Sequence, residues 1–107
     1  MSFRDSLKQK EKNLLDNIKN SLDYTFLDDE MDKKIMDSII RGKARINDIA
    51  GCELDYNQAG EHKTLLINYC RYDLAGKIDE FEKNYQSQIV TLLLDREMED
   101  YAGEDKI

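Results

Sequence analysis

The sequence predicts an all-α fold: a small bundle of about four helices, near residues 10–22, 28–50, 61–75 and 79–100, with flexible termini. Three observations carry that prediction. Apolar residues recur three and four positions apart through most of the chain, the period of an amphipathic helix. No proline interrupts them, and Lys, Glu, Asp, Leu and Ile dominate a composition that is 36% charged and 40% hydrophobic. The breaks fall at acid-rich or glycine-containing stretches, where helices start and stop. At 107 residues the chain is one domain around a single small core, with residues 1–10 as a possible N-terminal arm and 101–107 as an acidic tail.

Leu14, Leu15, Ile18 and Leu22 form the stripe of the first helix. Phe3 and Leu7 extend it weakly toward the N-terminus, but Glu11 falls on the same face, so the first residues read as a looser extension. After the break at Asp23–Glu30, either Asp28 or Asp29 can cap a second helix by accepting hydrogen bonds from its first free N–H groups. The neighbouring acids also suit the positive end of that helix's dipole. Met31, Ile35, Ile39, Ile46 and Ile49 then make one continuous stripe, with Gly42 in its gap. A glycine there costs about 1 kcal/mol relative to alanine. It is either a tolerated surface residue or the place where another helix comes close. Gly51 fits the left-handed residue that ends a helix. In the loop that follows, Leu54 and Tyr56 are the expected anchors and Gly60 the turn residue.

The third helix is apolar on more than one side, with Leu65, Tyr69 and Tyr72 on one face and Ile67, Cys70 and Leu74 on another. Such a helix is either central to its bundle or covered by a second subunit. The last helix repeats the pattern: Phe81, Tyr85, Ile89 and Leu92 form one stripe, and Val90, Leu94 and Met98 a second. A subunit of this size rarely buries both stripes of two consecutive helices, and each exposed Leu or Ile forgoes roughly 1.5–3 kcal/mol. Self-association is therefore expected. Leu66, Ile67, Tyr69, Tyr72, Leu74, Phe81, Tyr85, Val90 and Leu94 are its candidate packing and inter-subunit positions. Between the two helices, Gly76 allows a left-handed turn, and Asp79 reads as the next N-cap with Glu82 completing a capping-box-like pair.

Charge and reactive groups narrow the function. The net charge is −7, from 23 acids against 16 Lys and Arg, which disfavours sequence-independent binding to phosphate backbones. The chain is basic at its start (Arg4, Lys8, Lys10, Lys12) and acidic at its end (Asp95, Glu97, Glu99, Asp100, Glu104, Asp105). Arg41, Lys43 and Arg45 stand out as a basic cluster; they read either as a solvated face with local pairs to Asp37 and Asp48 or as a contact with a neighbouring subunit. No apolar run approaches the roughly 20 residues that span a bilayer, and the start lacks the apolar core of a signal peptide, so no membrane role is expected.

Cys52 and Cys70 show no CxxC spacing and are expected as reduced packing residues. Together with His62 they match no zinc pattern. His62 and Cys70 lie eight residues apart on one predicted helix, about 12 Å at 1.5 Å per residue, so that pair cannot meet. Neither catalytic residues nor a cofactor or metal is expected.

Two stretches suggest a family. "IIRGKARINDIAGCELDY" and, after a short loop, "LLINYCRYDLAGKIDEFEKNYQSQIVTLL" resemble the small helical head-tail connector proteins of long-tailed phages and prophages. The likeness runs from about Leu14 to Leu94 and is sharpest in "ARINDIAG", "ELDY" and the "LLINYCRY…DEFEKNY" pair. It is a likeness of pattern and contains no catalytic signature. The resemblance implies a structural virion protein at the head-tail junction: a ring, dodecameric by family precedent, docked under the portal protein. That ring would complete the head, extend the DNA channel and receive the stopper or tail-completion protein, with DNA passing through without sequence-specific binding. The subunits would be in the host cytoplasm during assembly. Arg41, Lys43 and Arg45 would then contact a ring neighbour or the portal. The alternative from another class is a small acidic phage or prophage regulatory adaptor that binds a host protein.

Overall fold

The computed structural model describes residues 3–24, 28–91 and 94. Helix α1 spans Gln9–Ser21, α2 Asp29–Ala50, α3 Glu61–Leu74 and α4 Ile78–Asn84. There is no strand among the described residues. Helix α3 packs along α2, α4 folds back on α3, and α1 lies against α2. The core is shared by all four: Leu14, Leu15 and Ile18 from α1, Ile35, Ile39 and Ile46 from α2, Leu65, Leu66 and Cys70 from α3, and Phe81 from α4.

Local chemistry sets the helix ends. Helix α1 starts where the Lys8 amide donates to the Glu11 carboxylate at 2.9 Å. Glu11, a break in the apolar stripe by sequence, is thus the third helical residue reaching back to cap the helix. Asp28, of the two candidates, caps α2 by accepting from the Glu30 and Met31 amides at 3.0 and 3.3 Å. Gly51 closes α2 at φ 74°, with the Cys52 amide donating to the Asn47 carbonyl.

The extension before α1 is docked onto the bundle. Arg4–Ser6 form a single 3-10 turn, and the extended Leu7 and Lys8 fold it back along α1. The Arg4 guanidinium forks onto the Asp16 carboxylate of α1. The Phe3 amide donates to Asp29 of α2 at 3.2 Å, and the Lys33 ammonium lies 5.9 Å above the Phe3 ring.

The α3–α4 corner keeps Gly76 as expected and corrects the role of Asp79. Gly76 is left-handed at φ 72°. The Lys77 amide donates to the Tyr72 carbonyl at 2.8 Å and the Gly76 amide to Asp73 at 3.0 Å, the paired bonds of a Schellman ending. Only Ala75, Gly76 and Lys77 separate the helices, and with Ala75 and Gly76 taken up by that ending, Lys77 is the N-cap of α4 and makes no side-chain cap bond. Asp79 falls inside the first turn, where with Glu80 it opposes the positive end of the dipole. Glu82 is drawn across to Arg45 instead of back toward Asp79. The last helix is also interrupted: α4 ends at Asn84, Tyr85 is a turn residue, and residues 86–91 are helical again. Leu92, Met98 and the acidic tail 101–107 lie outside the described residues.

Gly42 is the position that sets how α2 and α3 meet. A Cβ built there would stand 2.7 Å from Leu66 Cδ1 and 2.8 Å from Tyr69 Cδ1, so the helices touch through the missing side chain. Ser38, one turn earlier, is fully buried and widens the same slot for Cys70. Filling such a contact costs about 1–3 kcal/mol, against about 1 kcal/mol that alanine gains in helix propensity. Gly42→Ala should therefore lower stability by roughly 1 kcal/mol net in urea unfolding. A more stable variant would show that Leu66 and Tyr69 swing clear.

Candidate functional site

The basic cluster of α2 lies where α2, α3 and α4 converge. Arg41 and Arg45 are one helical turn apart, on either side of Gly42, so the close approach of α3 brings acids within their reach. Arg41 binds Asp73 near the end of α3 at 2.6 Å. Arg45 donates to Glu82 of α4 and lies 3.6 Å from Asp48 on its own helix. Lys43 points elsewhere, its ammonium 5.8 Å above the Tyr56 ring. Hydrogen bonding to these carboxylates raises the pKa of both arginines, which keeps them fully cationic. Both also retain exposed surface, 54% for Arg41 and 45% for Arg45, so a second acid could still reach them.

Next to the cluster is an aromatic corner. Phe81 is fully buried, with Tyr69 and Tyr72 edge-on at 5.4 and 6.2 Å and Tyr85 stacked on it at 5.3 Å. Offset and edge-to-face rings of this kind contribute about 0.5–1.5 kcal/mol per pair beyond their buried area. The corner holds α4 on α3. Two open clefts flank the Arg45–Glu82 bridge: one of about 300 Å³ bordered by Tyr69, Ile78 and Asp79, the other of about 350 Å³ bordered by Ile49, Lys83, Gln86 and Ile89.

The candidate apolar positions separate sharply in three dimensions. Leu66, Tyr69 and Phe81 are buried within the subunit, and Ile67, Tyr72, Leu74 and Tyr85 are half-buried against its core. Helix α3 is two-sided because it is central, with α2 and α4 packed on it and α1 reached through Arg71, which donates to the Ser21 carbonyl at 3.1 Å. Val90 and Leu94 differ. They are 46% and 53% exposed, one turn apart on the segment beyond Tyr85, and Ile40 on α2 is 56% exposed.

The reactive groups are engaged in structure. Cys70 is fully buried, and burial pushes its thiol up to about 11. His62 spends Nε2 on the Asp55 carbonyl at 2.7 Å and sets its ring edge-on to Tyr56. Among the described residues no group of three metal-ligating side chains comes together, and no helix is long and apolar enough to cross a membrane.

Asn47 is a structural residue that sequence reasoning missed. Its side-chain oxygen accepts from the Tyr56 hydroxyl at 2.7 Å and the Leu54 amide at 3.2 Å, pinning the "ELDY" loop to the end of α2. Its position one turn before Gly51 was the available signal. No family profile, curated protein or solved structure matches the chain.

The two thiols should behave differently. Near pH 8, half-buried Cys52 should react with Ellman's reagent in the folded protein, whereas Cys70 should wait for unfolding or for pH near 11. Two fast equivalents at pH 8 would mean that the slot around Ser38 opens readily.

Proposed function

We propose that this chain is a non-catalytic assembly subunit, forming a ring between a phage portal and its tail or stopper, extending the DNA channel and completing the head. The observation that carries the self-associating part is the uncovered pair Val90 and Leu94, with Ile40, where the other large apolar side chains among the described residues are buried or half-buried. These side chains are about half exposed, so covering each recovers roughly half of the 1.5–3 kcal/mol of a full burial, about 0.7–1.5 kcal/mol, and a heterologous ring supplies a cover at every subunit. The likeness of "ARINDIAG", "ELDY" and "LLINYCRY…DEFEKNY" to head-tail connectors supports the choice of portal and tail as partners. These are the stretches that form the end of α2, the Asn47-pinned loop and the aromatic corner.

In this reading the accessible sides of Arg41 and Arg45, with Lys43, meet acids on a ring neighbour or the portal. Reversing all three charges should abolish addition to portal-bearing heads. The pair Asp73→Asn with Glu82→Gln, which removes only the internal partners, should leave addition intact. Equal loss in both variants would assign the cluster to folding alone. Cryo-electron microscopy of particles tests the whole reading. Density for this chain at the portal-tail junction is the expected result; its absence there, with a defined soluble complex with a host protein, would replace the connector by an acidic regulatory adaptor.

A further inference from the structure

We propose that the N-terminal segment Phe3–Leu7 is an exchangeable strap, which closes on its own subunit when dilute and on a second copy of this chain when copies are held side by side. The proposal deepens the assembly reading by naming one contact and its occupant, and it rests on that reading only for where the copies meet.

Four observations carry it. The strap is joined to α1 only through Leu7 and Lys8, both extended with ψ near 150–160°, so the connection contains no helical bond that must break for the strap to pivot. Its attachments are side-chain clasps: Arg4 on Asp16, the Phe3 amide on Asp29, and Lys33 over the Phe3 ring. Asp16 is 42% exposed and Arg4 29%, so water and salt reach the main clasp and weaken it. Finally, Phe3 and Leu7 are only half-buried, packed on the edge of the core instead of within it.

Because the socket of Asp16, Asp29 and Lys33 belongs to α1 and α2, every copy presents the same socket. Nothing in the chemistry of the strap distinguishes its own from a neighbour's. The short connection through Leu7 and Lys8 holds the strap near its own socket at an effective concentration on the order of millimolar, which keeps a dilute subunit closed. In an array of touching subunits a neighbour's socket is presented at a similar concentration, so exchange competes at no loss of contacts.

A charge-reversal mixture separates exchange from simple closure. Arg4→Asp alone and Asp16→Arg alone each set like charges against one another in a closed subunit. Mixed, the strap of each variant meets an opposite charge in the socket of the other. At equal concentrations of about one millimolar, matching the effective concentration of the tether, the expected result is a 1:1 complex by sedimentation equilibrium, found only in the mixture. Protection of the Phe3 amide from hydrogen exchange should return with it. The combined Arg4→Asp, Asp16→Arg chain should close on itself as a protected monomer, which also shows that both substitutions are compatible with the fold. A mixture that stays monomeric with unprotected straps would overturn the proposal. So would either variant alone remaining closed and protected, or associating with itself. Cryo-electron microscopy locating no connector density would leave this result unchanged, so the two readings fail separately.

Discussion

The contact at Gly42 is the constraint on which the arrangement of α2, α3 and α4 depends. With no side chain at that turn and the small Ser38 one turn before it, α3 lays Leu66, Tyr69 and Cys70 directly on α2. The close approach has two consequences. It seals Cys70 from solvent, which pushes its thiol up to about 11. It also brings Asp73 and Glu82 within reach of Arg41 and Arg45, which flank Gly42 on the same helix. The helix-propensity cost of glycine, about 1 kcal/mol, is thereby exchanged for a core contact and two bridges between elements.

An acidic chain uses its bases sparingly and between elements. Arg4 joins the N-terminal turn to α1, Lys19 joins α1 to α2, Arg41 joins α2 to α3, and Arg45 joins α2 to α4. Three of these pairs reach solvent and contribute about 0–1 kcal/mol each. Lys19 and Asp32 are different, since their side chains are 6% and 3% exposed with the charges 2.7 Å apart. Their attraction roughly offsets the cost of leaving water, but losing either partner would strand a buried charge at about 3–5 kcal/mol. The pair therefore specifies how α1 seats on α2 more than it stabilises the fold.

The function proposed follows from the division between covered and uncovered apolar surface. A central α3 absorbs its second face within the subunit, which removes half of the argument that two-sided helices require a partner. Among the described residues, what survives is Val90, Leu94 and Ile40. An assembly surface reduced to a few side chains suits a protein that adds to an existing platform, where several weak contacts act together.

Helix number, a cap at Asp28 or Asp29, the Gly51 and Gly76 endings and the Leu54 and Tyr56 anchors were legible in the chain itself. Each follows from a periodicity or a backbone conformation that a few neighbouring residues impose. The residues that failed to read correctly depend on distant partners. Asp79 looked like a cap, but the Schellman bonds at Gly76 consume the connection and Arg45 takes Glu82. Glu11 looked like a flaw in the stripe because its role is to cap, and Lys19 and Asp32 gave no sign of their pairing because thirteen positions separate them in sequence. Arg41 and Arg45 could be recognised as a cluster, yet their acids lie on α3 and α4. Periodicity determines which face of a helix is apolar; which face a neighbour covers is set by the packing of all four helices together, and here by one missing Cβ on α2.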